Sequence, residues 1–166
     1  MVIDLKKFFL SEGYSEDVAY DLDLTEVELG GVKPFCAPVK VQAQLKSFAG
    51  SALLRAELSY QVTMPCDRCC EITTQRFSPT FTHTLVRELS GEEDVGFVVV
   101  PEERLDLDQL LTEDILLEMP SKFLCRPDCK GICPVCGKNR NLEECSCQER
   151  ETDPRLEALK SLLEDR

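Results

Sequence analysis

The sequence predicts an α+β fold: an antiparallel β-rich domain ending in a helix (residues 1–120), a cysteine-rich arm (121–150) and a C-terminal helix (151–166). Three patterns carry that reading. Two runs on either side of a Gly-Ser turn alternate apolar and polar residues, the period of a half-buried strand. The leucines after Asp106 recur at helical spacing up to Pro120, as do those after Asp153. Between these helices, residues 125–147 hold many cysteines and too few apolar residues for a core of their own. At 166 residues the chain is long enough for one core, burying roughly 70% of its unfolded surface.

In order along the chain, Leu22–Leu29 alternates imperfectly and reads as a strand or a short helix. Val39–Leu45 alternates without a miss. After Phe48-Ala49-Gly50-Ser51, Leu54, Ala56, Leu58, Tyr60 and Val62 take one face while Arg55, Glu57, Ser59 and Gln61 take the other. Two such runs around a Gly-Ser turn make an antiparallel hairpin. The second strand leads into Met64-Pro65-Cys66-Asp67-Arg68-Cys69, so this Cys-x2-Cys pair sits on a turn, and a β-favouring run leaves it from Glu71 to Leu89. An acidic loop spans Glu88 to Asp94, and Phe97–Val100 is a short apolar strand ended by Pro101. Asp106 or Asp108 then caps a helix through Met119, with Leu107, Leu110, Leu111 and Ile115 on one face. Asp153-Pro154-Arg155 starts the terminal helix, aspartate as N-cap and proline at the first helical position, with Leu156, Leu159, Leu162 and Leu163 as its stripe.

Four of the ten cysteines fall in Cys133-Pro134-Val135-Cys136-Gly137 and Cys145-Ser146-Cys147, with Cys125 and Cys129 just upstream. The N-terminus, Met1–Leu10, breaks its apolar residues with charge and has no cleavage pattern, and no stretch approaches the ~20 apolar residues that span a bilayer. A reducing, cytoplasmic setting is therefore expected, where clustered cysteines bind metal more often than they pair. The Cys-Pro-x-Cys-Gly turn aims backbone N–H groups at sulfur, and its glycine permits the positive φ that closes the loop. Two structural Zn2+ ions are expected, making this a zinc-stapled arm. One grouping places Cys133, Cys136, Cys145 and Cys147 on one ion, and Cys66, Cys69, Cys125 and Cys129 on the other. Its rival gives Cys125, Cys129, Cys133 and Cys136 to one ion and leaves two separated pairs to find each other. Cys36 and Cys70 are read as bystanders, small apolar residues in the interior. Redox use of Cys133-Pro-Val-Cys136 would need a βαβ context that the surrounding sequence lacks.

The formal charge of −12 argues against a general nucleic-acid binder, since phosphate contacts need local cations. The charge is uneven, however. From Ser121 to Arg140, Lys122, Arg126, Lys130, Lys138 and Arg140 face a single acid, Asp128. These cations either offset the thiolates or form a contact surface for RNA phosphate or an acidic partner. No enzyme is expected, and no small-molecule substrate or membrane. His83 is the single histidine and sits in a strand-like run. No Ser/His/Asp set, phosphate-cradling glycine loop or legible carboxylate pair occurs, and an all-cysteine zinc site has no open position to activate water.

The segment Leu124-Cys-Arg-Pro-Asp-Cys-Lys-Gly-Ile-Cys-Pro-Val-Cys-Gly-Lys-Asn139, then Cys145-Ser-Cys147, then Asp153-Pro-Arg-Leu-Glu-Ala-Leu-Lys160, closely resembles the YceD family. These are the large ribosomal RNA subunit accumulation proteins of bacteria and plastids. Cys66-Asp-Arg-Cys69 and Asp114-Ile-Leu-Leu-Glu-Met-Pro120 match in the same order, so the similarity covers most of the chain and is most specific over 114–160. The resemblance implies a role in producing or preserving large-subunit (23S) ribosomal RNA, hence in large-subunit assembly. It implies no catalytic activity. Pre-ribosomal large-subunit RNA, a ribosomal protein, or both are the expected partners. The alternatives are an acidic adaptor or chaperone for a basic ribosomal protein, or a thiol redox or metal-storage protein.

Overall fold

The computed structural model describes residues 1–88 and 96–147. The fold is α+β and strand-rich. Its elements are β1 (Val2–Asp4), α1 (Lys6–Leu10), β2 (Ser15–Leu22), β3 (Val39–Phe48), β4 (Ser51–Pro65), β5 (Ile72–Phe77), β6 (Thr80–Val86), β7 (Phe97–Val99), β8 (Arg104–Asp106) and α2 (Leu107–Glu118). The expected terminal helix over 151–166, and most of the acidic loop before Phe97, lie outside the described residues.

The β3–β4 hairpin is the backbone of the domain. Its two-residue turn, Ala49-Gly50, takes positive φ at both positions (45° and 78°), the twist that joins antiparallel strands tightly. Along β4 the alternation becomes burial: Ala52, Leu54, Ala56, Leu58, Tyr60 and Val62 are buried. Opposite them on β3 lie Val39, Val41, Ala43 and Leu45, also buried. The main sheet runs β2-β3-β4-β6-β7, with β5 on the far half of β4. β5 and β6 pair with β4 in one continuous register, Tyr60 opposite Phe77 and Glu57 opposite Thr80. The single run read over 71–89 is thus one strand path interrupted at Ser78-Pro79. Proline has no N–H for the ladder, and the Pro79 carbonyl takes the Leu58 N–H at 3.0 Å.

One face of the sheet is covered. Leu107, Leu111 and Ile115 of α2 are fully buried there, with Phe8 and Phe9 of α1, Leu5, Phe35, Leu105 and Phe123. Asp106 is the N-cap of α2, accepting from Gln109 N, and β8 runs directly into the helix. His83 of β6 is tied to Asp114 of α2 at 2.7 Å, which pins the helix across the sheet. Among the described residues, no element covers the opposite face of the sheet.

Four elements, β1, α1, β2 and β8, were not anticipated, and one expected element is absent. Leu22–Leu29 is neither strand nor helix: Leu22 ends β2, and the chain then turns. The Asp23 carboxylate accepts from both the backbone N–H and the hydroxyl of Thr25 at 2.9 and 2.7 Å, drawing the backbone off a ladder. Leu24 plugs the core from this loop. The real strand, β2, lies just upstream, where Val18, Tyr20 and Leu22 alternate with Asp17, Ala19 and Asp21. β1 and α1 are too short to leave a period in the sequence. β1 gains its place by pairing with β8 across the whole domain.

Candidate metal centres

The turn between β4 and β5 carries the first pair of sulfurs. Cys66 N donates to the Glu71 carbonyl (2.9 Å) and Cys70 N to the Cys66 carbonyl (2.9 Å), closing a tight knuckle. Residues 121–133 lie against this knuckle. Asp67 N bonds the Phe123 carbonyl at 2.9 Å, and Phe123 N returns to the Asp67 carboxylate at 2.6 Å. Ile132 N bonds the Arg68 carbonyl at 3.0 Å, while the Arg68 guanidinium donates to the Cys129 carbonyl at 2.9 Å. Phe123 itself is buried in the main core. The arm is therefore moored at several points around the cysteines.

These contacts bring Cys66, Cys69, Cys125 and Cys129 together, every sulfur within 4.8 Å of the others. The Cys66–Cys129 and Cys69–Cys125 sulfur separations are 3.8 and 3.6 Å. A tetrahedral ion with metal–sulfur bonds of about 2.3 Å needs an edge of about 3.8 Å. Cys66, Cys69 and Cys129 are buried and Cys125 partly so. The second cluster joins Cys133, Cys136, Cys145 and Cys147 under the same distance limit. It is built on a small hairpin: Cys133 N bonds the Lys138 carbonyl and Gly137 N the Cys133 carbonyl, both at 2.8 Å, with Gly137 at φ 73°. Cys133 is buried and Cys136 is exposed. The sulfurs thus divide in the first of the two groupings considered.

The protonation of the sulfurs is set by their neighbours. Burial pushes the Cys66 thiol up, yet the backbone N–H groups of Cys125, Arg68 and Cys69 outweigh it and hold the group at about 6. In the second cluster the N–H groups of Cys136 and Val135 hold Cys133 at about 6. Against its burial, Asn141 and the Gly131 N–H also lower the Cys129 thiol, whereas Cys69, Cys125, Cys145 and Cys147 resist ionising beside these groups. Cys125 is pushed up to about 12 by burial and by sharing protons with Cys69, Cys129 and Cys66. Cys147 reaches about 12 through its hydrogen bond to Cys136 and burial. Four thiolates this close repel one another unless a dication sits among them. Both clusters could hold a metal ion, and with four sulfurs each would be closed.

A model of the family described as large ribosomal RNA subunit accumulation protein YceD matches residues 54–163. The chain belongs to the YceD family. An uncharacterized protein of Mycobacterium tuberculosis is 26% identical over 86% of this chain and 67% of its own length. The uncharacterized protein YlbN of Bacillus subtilis is 27% identical over 76% of this chain and 75% of its own. The large ribosomal RNA subunit accumulation protein YCED homolog 1, chloroplastic, of Zea mays is 25% identical over 85% of this chain and 59% of its own. No solved structure matches the chain.

The basic residues of this YceD member divide in two. All five are exposed. Arg126 is engaged with Asn141 at 2.8 Å and Asp128 at 3.5 Å, and Lys138 with Glu143 at 2.9 Å. Among the described residues Lys122, Lys130 and Arg140 form no ion pair. Glu143 and Glu144 line the same hollow as Lys130 and Arg140, so the cationic face stops at that edge. Cys36 and Cys70 belong to neither cluster, but both are exposed rather than interior. Cys70 is driven outward by its φ of 60° at the end of the knuckle.

Two residues escaped the sequence reading. The Asn141 amide donates to the Cys129 sulfur at 3.2 Å and to Asn139 at 2.8 Å, and its carbonyl oxygen accepts from Lys130 N at 2.8 Å. It joins the first cluster to the loop between Cys136 and Cys145 of the second. Gly131 has a φ of 73°, and a Cβ there would lie 2.9 Å from the Arg68 carbonyl oxygen. An asparagine four residues after a Cys-Gly turn is a signal only once the cluster is assembled.

Proposed function

We propose that this protein is a non-enzymatic, cytoplasmic ribosome-biogenesis factor that promotes accumulation of large-subunit (23S) ribosomal RNA, its arm shaped by two structural zinc ions. The observation that carries the reading is the pair of four-sulfur clusters, one of which moors the arm to the β-domain. In a chain of this family, that arrangement supports a fixed cationic surface rather than a reacting centre. Zinc suits an all-thiolate, tetrahedral set with no open position, and it contributes folding energy directly. Cys66, Cys69, Cys125 and Cys129 would hold one ion, and Cys133, Cys136, Cys145 and Cys147 the other. No helix among the described residues is long and apolar enough to cross a membrane.

Lys122, Lys130 and Arg140 are the contacts to precursor RNA in this reading, because among the described residues none of them forms an ion pair. Arg126 and Lys138 shape the arm instead. The acidic remainder, part of a net charge of −12, repels bulk RNA and leaves only a site matched to the arm. Exchanging Lys122, Lys130 and Arg140 for glutamine should abolish co-sedimentation with large-subunit precursors while leaving zinc content at two per chain. Undiminished co-sedimentation would remove the arm from the mechanism. Elemental analysis finding no bound zinc in an ordered protein would remove the scaffold.

A further inference from the structure

β2 ends the sheet. Among the described residues no element other than β3 pairs with it, and no backbone hydrogen bond reaches its outer side. The phase of the ladder follows from Ser47 N bonding the Tyr14 carbonyl at 2.8 Å, next to the Ser15–Lys46 pair. Antiparallel pairs alternate between bonded and non-bonded residues. Even-numbered residues of β2 therefore bond inward to β3, and Ser15, Asp17, Ala19 and Asp21 turn their N–H and C=O groups outward. This edge is eight residues long and has no proline, bulge or lysine to blunt it.

Its side chains have a consistent sign. From Glu12 to Glu28 there are seven acids and no base. Asp17 and Asp21 stand on the open face of the sheet, beside a shallow hollow at Ala19 that Gln42, Gln44, Arg55 and Glu57 also line. Val18 and Tyr20 lie on the other face, partly buried against the core. Such an edge repels a second copy of itself, since like charges opposite one another destabilise a pair. It repels nucleic acid for the same reason. A cationic strand is what it attracts.

We propose that β2 is a docking edge for an extended, lysine- or arginine-rich protein segment, which adds to the sheet as a further strand beside Asp17, Ala19 and Asp21. Alternate side chains of the guest would set cations next to Asp17 and Asp21 and apolar groups over Val18 and Tyr20. Main-chain bonds supply affinity and the alternation supplies specificity. This goes beyond the proposed RNA role and does not depend on the metal-held arm.

The test uses the full-length, zinc-loaded protein and a fluorescein-labelled ten-residue peptide of alternating lysine and valine, followed by anisotropy. Exchanging Asp17 and Asp21 together for asparagine should weaken binding about tenfold, the sum of two exposed charge pairs. Ala19→Pro removes an outward N–H, a position where an edge strand tolerates proline, and should weaken binding by about tenfold or more. The wild-type protein should likewise reject a peptide N-methylated at alternate residues, which checks the pairing without any variant. Glutamine at Lys122, Lys130 and Arg140 should leave peptide affinity unchanged, so this proposal and the RNA reading fail separately. Equal affinity for the N-methylated peptide would overturn strand addition and leave a diffuse charge effect. So would a twelve-nucleotide oligouridylate that binds comparably and is weakened by Ala19→Pro.

Discussion

Replacing Gly131 with alanine tests whether the arm is seated on the knuckle as described. Two costs add. Gly131 sits at φ 73°, where an L residue with a Cβ loses roughly 1–2 kcal/mol. The new methyl would also lie 2.9 Å from the Arg68 carbonyl oxygen, which must move and so weaken its bond to Ile132 N. A hydrogen bond of that kind contributes about 1 kcal/mol. The stiffer unfolded chain returns roughly 0.5 kcal/mol of this. The net loss is about 2 kcal/mol, or about 30-fold in the equilibrium between seated and lifted arm. Gly137→Ala is the control: its φ is also 73°, but nothing lies within 4 Å of the added carbon. Its cost is the conformational part alone, about 1 kcal/mol and roughly fivefold. Hydrogen exchange read by mass spectrometry over Cys125–Cys147 measures both. Gly131→Ala should raise exchange throughout the arm, and Gly137→Ala only around the Cys133–Lys138 turn. Equal, small effects from the two would refute the contact with Arg68.

Other outcomes follow from the same contacts. Asn141→Ala removes the amide donor to the Cys129 sulfur and should speed zinc release from the first cluster about tenfold, measured with a colorimetric chelator, while sparing the second. His83→Ala breaks the 2.7 Å link to Asp114 and leaves a largely buried carboxylate without its partner. Thermal denaturation should show a loss of about 1–3 kcal/mol, with zinc content unchanged. Cys69→Ser should release the whole arm to limited proteolysis, whereas Cys145→Ser should expose only the segment after Ile132.

How far the sequence reveals this molecule depends on the range of the force involved. The β3–β4 hairpin was legible because its burial repeats every second residue over Val39–Leu45 and Ala52–Val62. The helix capped by Asp106 was legible because its cap and its leucine stripe agree. The cysteine spacing carried the division into clusters, since each pair arrives on its own local turn. What was hidden is what depends on distant partners. β1 is three residues whose order comes from β8, and Phe123 looks like part of the arm but packs with the core. Leu22–Leu29 misled because apolar residues in a loop can plug a core as well as strand residues can, as Leu24 does. The apparent cationic face shrank for a related reason. Glu143 lies outside the window in which the charges were counted, yet the chain folds it back onto Lys138.

The two clusters solve different problems, and chain entropy says which. The first joins residues 56 apart, Cys69 and Cys125, across the whole later half of the β-domain. The second closes a segment whose inner ligands, Cys136 and Cys145, are nine residues apart. Closing a loop costs entropy that grows as 1.5 RT ln n, so the longer link constrains the unfolded chain by about 1.6 kcal/mol more. Burial points the same way: three of the first four sulfurs are buried, and the second set has Cys136 at the surface. The first ion would therefore fasten the arm to the domain, and the second would only hold the shape of its tip. That tip places Lys130 and Arg140 next to the mooring point, because Arg140 N bonds the Gly131 carbonyl at 2.9 Å. A cation presented this way is fixed relative to the β-domain, so a partner that touches both the arm and the sheet meets them at a set distance. In the proposed reading, rigid spacing of that kind is what the eight cysteines would contribute once each set of four holds its ion.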